Sequence, residues 1–282
     1  MKERACATEG EHPLTDLRSR VPAQGLMAMV LNAQASGDVA PSPRPGMIRL
    51  SEEARPWYTG AIGERVVGRV LTELGPEWTV LHSIPVGKGT SDIDHVVLGP
   101  AGVFTINTKH HPGKPVWIGG KGMRVGGHSV PYIRNATHEA ARAAVLLSTA
   151  SGMTVPVTSV IALVGVTSIV TKRLPDGGNV DLRIVTERQL LDVLRTRPVF
   201  SIEQVQRIVD VAVLPGTWHK TPQSGEDGVA ISLAFEMLHE GVAVMDARIR
   251  RRAYWVGLGR RLVPVLVPFG AAVVLYWWMT GR

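Results

Sequence analysis

The sequence predicts an α/β or α+β fold, a mixed central sheet flanked by helices, followed by one C-terminal transmembrane helix. Three observations carry that expectation. Short β-branched runs at 78–86, 92–98, 103–106 and 157–166 have the length and composition of strands. Helical patterns at 57–74 and 135–151 are interleaved with them, the order that layers helices against a sheet. An uncharged apolar run at 262–279 reaches the ~18 residues needed to cross a bilayer.

The elements follow in chain order. Residues 1–50 mix Pro, Gly, Ser and balanced charge without a sustained period, so a disordered extension is expected there. Lys2 and Arg4 precede polar residues, so no secretory signal is expected. In 57–74, Ile62, Val66, Val70 and Leu74 repeat every four residues, the stripe of an amphipathic helix. A strand at 78–86 precedes a hairpin turned by Gly99-Pro100-Ala101-Gly102. Short strands at 115–118 and 123–130 are separated by glycines. The Ala-rich helix 135–151 stops at Gly152. Strands at 157–166 and 180–185 follow, then helices capped by Thr186 and Ser201. Residues 57–215 make one domain, and 216–252 are a loop and a connecting helix leading to the span at 262–279.

The hairpin is the most informative segment. Pro100 suits the second position of a type I or II turn. Pairing Leu98 with Val103 and counting back sets Asp94 opposite Asn107 and Asp92 opposite Lys109. Opposed residues share a face, and Asn107 and Lys109 lie two apart on one strand. Asp92, Asp94, Asn107 and Lys109 are therefore expected to form a polar cluster. Ile93, Val97, Phe104 and Ile106 are expected to cover the apolar face.

Charge and composition narrow the function classes. A net charge of +7 and a pI near 9.9 suit an anionic polymer or an anionic membrane face. The single cysteine, Cys6, excludes an internal disulfide and fits a reducing compartment. Arg248, Arg250, Arg251, Arg252, Arg260 and Arg261 precede the apolar run and Arg282 follows it, which predicts a cytoplasmic globular part on a single-pass anchor. Gly87-Lys88-Gly89-Thr90-Ser91 resembles a phosphate loop, but Ser83 stands where that motif needs its first glycine. His110 and His111 are adjacent on a strand and point to opposite faces, so one metal is not expected to bind both.

Gly60-Ala61-Ile62-Gly63-Glu64-Arg65, the segment 91–97, Gly99-Pro100-Ala101-Gly102-Val103-Phe104 and Asn107-Thr108-Lys109 together resemble the nuclease-related domain, NERD, of the PD-(D/E)XK nuclease superfamily. The resemblance covers residues 57–215. It implies a site made of a helix glutamate, a hairpin aspartate, an acid-x-lysine triplet and often a later glutamine. Carried over, these are Glu64, Asp94, Asn107 with Lys109, and a position near His138. Glu64, Asp94 and Asn107 are the implied ligands of Mg²⁺ or Mn²⁺, and Lys109 the catalytic lysine. Two departures stand out. Asn107 replaces an acid, and its amide oxygen brings no charge to a cation. His138-Glu139 replaces the glutamine. Lys88, Lys114, Lys121, Arg124, Arg134 and His138 are candidate contacts to a nucleic-acid backbone. The resemblance implies metal-dependent phosphodiester hydrolysis of DNA or RNA. A catalytically degenerate nucleic-acid-binding or scaffold module at the membrane is the alternative that Asn107 favours.

Overall fold

A computed structural model describes residues 16–36, 46–87, 92–219 and 227–280, with side chains at 257–275 and 280 outside the description. The helices are α1 (Gln24–Ala35), α2 (Ala54–Leu71), α3 (Tyr132–Ser151), α4 (Leu190–Leu194), α5 (Ile202–Ala212), α6 (Pro215–Trp218) and α7 (Gly228–Thr280). The strands are β1 (Thr79–Pro85), β2 (Asp92–Gly99), β3 (Gly102–His110), β4 (Pro115–Gly119), β5 (Gly122–Val125), β6 (His128–Val130), β7 (Val157–Val164), β8 (Ser168–Arg173) and β9 (Leu182–Thr186).

The expected mixed sheet is present. Its order is β1-β2-β3-β7-β9, antiparallel across β1, β2 and β3 and parallel across β3, β7 and β9. One face packs Leu81, Val96, Leu98 and Val103 against Ala140, Ala143 and Leu147 of α3 and Ile208 and Val209 of α5. The other packs Val97, Phe104, Ile106, Val160 and Ala162 against Val67 and Leu71 of α2 and Leu190 and Leu194 of α4. The buried face of α2 carries Ala61, Glu64, Val67, Gly68 and Leu71, one residue off the stripe expected from Ile62, Val66 and Val70. Those larger residues are half-buried at its margins.

A second sheet, β6-β5-β4-β8, was not fully expected from sequence. Its strand β8 is mostly exposed and ends in Thr-Lys-Arg, so it lacks the apolar alternation that marks a strand.

Residues 16–36 depart from the expected disorder. Leu17–Ser19 form a 3₁₀ turn, and α1 buries Met27 and Val30 completely. Ala23, Met27 and Val30 lie one turn apart and meet Ala61 of α2 and Phe235, Leu238 and Val242 of α7. Residues 1–15 and 37–45 of that expected extension lie outside the description.

The connecting helix and the apolar run are one helix, α7, of 53 residues. Within it, Gly228–Val256 is long and apolar enough to cross a membrane, with 33% of its most apolar window buried inside the protein. Phe235, Leu238, Val242 and Met245 are its buried apolar side chains, so this part of α7 docks on the globular part. Side chains of the expected span, 262–279, lie outside the description except at its last residues, 276–279, which are exposed.

Candidate active site

The hairpin register is the expected one from the turn inward, with Leu98 opposite Val103 and His95 opposite Ile106. The paired ladder stops there. Asp94, instead of opposing Asn107 through backbone bonds, accepts the Thr108 N–H on its carboxylate at 2.6 Å. Across β2, the β1–β2 register skips the Ser83–Asp94 pair, and Ser83 is held at φ +47°. A left-handed residue inside a strand turns the chain over. Ser83 Oγ stabilises that turn by accepting the Gln24 N–H at 2.9 Å. Beyond it the faces exchange. Ile93, expected beside Val97 and Phe104, packs instead in the α3-side cluster with Val96 and Leu98.

This break gathers the acids. Asp94 is 8% exposed and Glu64, brought by α2, is 5% exposed. Asp92 reaches the first turn of α1, where its Oδ2 would lie 2.8 Å from a Cβ at Gly25. Glu139 of α3, which with His138 stands in place of the implied glutamine, faces Asn107, whose Nδ2 donates to Glu139 Oε2 at 3.3 Å. Lys109 sets its Nζ 5.1 Å from the Tyr132 ring centre. His110 Nδ1 bonds Thr59 O on α2 and His111 Nε2 bonds the Tyr132 hydroxyl, so the two histidines do face opposite ways.

Burial and mutual repulsion dominate the electrostatics. Desolvation, then the charges of Asp94 and Asp92, hold the Glu64 pKa well above the usual carboxylate range. Desolvation and Asp94 push Asp92 up to about 6 and Glu139 up to about 8. Desolvation also raises Asp94, opposed by Lys109 and by the Thr108 N–H. Lys109 opposes the rise at Glu64, Asp94 and Glu139, and Arg20 opposes it at Asp92. Glu64 Oε2 and Glu139 Oε1 are shut off from solvent without a hydrogen-bond partner.

Among the described residues, no three His, Cys, Asp or Glu side chains form a set that could hold a metal ion. Mg²⁺ does not need three such ligands, because it keeps several waters and binds through one or two carboxylates. Crowded like charges with orphaned oxygens are the donor set such a cation satisfies, so the residues fit it.

A cleft of about 400 Å³ opens beside the acids, lined by Asp92, Ile93 and Glu139 and by Arg134, His138 and Arg142 of α3. The last three are exposed and lie one helical turn apart in succession. Arg134 and His138 were expected contacts. Arg142 was missed, although extending the same four-residue spacing finds it. Lys114, Lys121 and Arg124 belong instead to the second sheet and its approach. Lys121 pairs with Asp176 at 3.8 Å, and Arg124 stacks on Trp117. Lys88 lies outside the described residues.

Comparison with known proteins agrees with this geometry. An uncharacterized protein of Bacillus anthracis is 39% identical over 69 residues, covering 23% of this chain and 31% of that protein. The match therefore spans about a third of that relative's length. No solved structure matches. Residues 59–164, which carry most of α2, the hairpin, α3 and β7, match the nuclease-related domain family, NERD.

Proposed function

We propose that this protein is a membrane-anchored nuclease that hydrolyses phosphodiester bonds of DNA or RNA with Mg²⁺ or Mn²⁺. One observation carries the reading: Glu64 and Glu139 each keep a buried carboxylate oxygen without a partner, and Glu139 lines, with Asp92, a cleft edged by Arg134, His138 and Arg142. Glu64 and Asp94 are the acidic residues that would hold the cation, with the Asn107 amide oxygen as a neutral ligand. A cation held by these residues would supply a lowered pKa for a bound water and positive charge for the phosphate oxygens. Lys109, held over Tyr132, supplies positive charge to the phosphate as it becomes more negative. The α3 stripe binds the polymer backbone without reading sequence. Residues 262–279 would anchor the protein, and the arginines before them favour a cytoplasmic domain.

The test uses the full chain in detergent with DNA and RNA, in Mg²⁺ or Mn²⁺ and in chelator. Metal-dependent cleavage, lost in both Asp94→Ala and Lys109→Ala, is the expected outcome. Asn107 supports a second reading, a degenerate binding module at the membrane. That reading holds if the polymer is retained without cleavage and the metal makes no difference.

A further inference from the structure

The second sheet turns one face inward and leaves the other open. Val116, Ile118, Met123 and Val125 pack with Ile133 and Ala136 of α3 and with Ile161 and Leu163 of β7. Alternation then sends Trp117 and Arg124 to the outer face, where they oppose each other across β4 and β5. Trp117 is 37% exposed. Its indole lies along its own strand over Gly119, where a Cβ would collide with the ring, so glycine there lets the ring lie down on the sheet. The Arg124 guanidinium sits 5.7 Å from the ring centre. Val170 of β8 flanks Trp117 on the other side and is exposed, and a register shift after Ile118 sets Arg173 opposite Gly119. Charge is one-sided as well. Residues 112–131 and 165–173, which carry all four strands, hold five Lys or Arg and no Asp or Glu. Cations around an exposed aromatic ring suit a single-stranded nucleic acid, because the cations track phosphates and the ring stacks on a base. A duplex keeps its bases stacked on one another, so a ring lying on a sheet reaches only an unpaired one.

We propose that the outer face of the second sheet is a single-strand-binding surface, separate from the carboxylate site. One base stacks on Trp117, and Arg124, Arg173, Lys114 and Lys121 hold the flanking phosphates. The first turn of α3 follows β6 and carries Arg134, so this face adjoins the rim of the cleft through one turn of helix. An anionic membrane would also attract the cations, but membrane binding grows with buried apolar area, and the large apolar side chains exposed on these strands are Trp117 and Val170. The inference concerns binding and does not depend on hydrolysis.

The experiment titrates the full chain in detergent, with chelator present so that nothing is cut, against labelled oligo-dT of about 20 nucleotides and a duplex of the same length, read by fluorescence anisotropy. Trp117→Ala is expected to weaken oligo-dT binding about 10-fold and duplex binding less than about 2-fold. Trp117→Phe, which keeps a ring, is expected to retain most of the affinity. Arg173→Ala is expected to lower the slope of log affinity against log salt by about 0.7 for the single strand. Thermal melts check that each variant folds, and Arg173→Ala probes the same face if Trp117→Ala does not. Undiminished oligo-dT binding in Trp117→Ala overturns the proposal, as does an equal loss on the duplex or a wild-type protein that binds no single strand. In nanodiscs of brominated phosphatidylglycerol, tryptophan quenching that falls in Trp117→Ala while oligo-dT binding does not gives the face to the membrane and also overturns it. Oligo-dT binding that follows Trp117 in a protein that cleaves nothing with Mg²⁺ sustains the proposal and removes only the nuclease reading.

Discussion

At the turn end of the β2–β3 hairpin, Leu98 and Val103 pair in register and are 1% and 2% exposed. At the other end of the same two strands the pairing fails, Asp94 bonds sideways to Thr108, and acids replace aliphatic side chains. The first end is held by ordinary apolar burial. The second is held in place by its neighbours and carries like charges that oppose folding when no cation is present. Stability and chemistry are thus separated along one hairpin by a few residues. The point of separation is the left-handed Ser83 and Asp94, the two residues that the β1–β2 ladder skips.

Substitutions at the two ends should therefore behave differently. The largest effect belongs to the open end: Lys109→Ala is expected to reduce the cleavage rate about 10²- to 10³-fold, the usual loss of one transition-state charge contact, with little change in melting temperature. Steady-state kinetics and a melt on the same sample check both halves. At the turn end, Leu98→Ala is expected to cost about 3–4 kcal/mol of stability by opening a cavity, read from denaturant unfolding, while Mn²⁺ affinity of the remaining folded protein stays unchanged.

The pH dependence sharpens the contrast. A carboxyl group with a raised folded pKa makes the metal-free protein less stable as pH rises from its unfolded to its folded value. For Glu139 that window runs from 4.5 to about 8. Burial lowers His82 to about 4 and depresses His95 too, so the histidines act in the opposite sense, but only below their usual value of 6.5. Between pH 6.5 and 8 the acids act alone. Metal-free protein is expected to lose about 1–2 kcal/mol across that interval. A flat metal-free profile would contradict the raised Glu139 pKa. The smallest effect is expected at the rim. Arg142→Ala should weaken binding of DNA or RNA about equally across sequences and lower the slope of log affinity against log salt by about 1, read by fluorescence anisotropy.

The hairpin register and the mixed sheet were legible because turn chemistry and period-two alternation are local signals. What escaped depended on tertiary contact. The exchange of faces at Ile93 follows from a left-handed serine, a residue type that gives no warning of positive φ. The meeting of Glu139 with Asn107 depends on a helix docking across β3, and no spacing within either element reveals it. Helix α1 was hidden because its apolar face is short and set among turn-forming residues, and becomes a helix by packing on α2 and α7.

Helix α7 does more than continue toward the apolar run. Its Glu236 pairs with Arg65, its Phe235 lies against the same guanidinium, and its His239 bonds the Tyr58 hydroxyl. Arg65 is the immediate neighbour of Glu64. These contacts fasten α7 to the stretch of α2 from Tyr58 to Arg65, so the seating of the helix-borne Glu64 is set in part by a helix some 170 residues further along the chain.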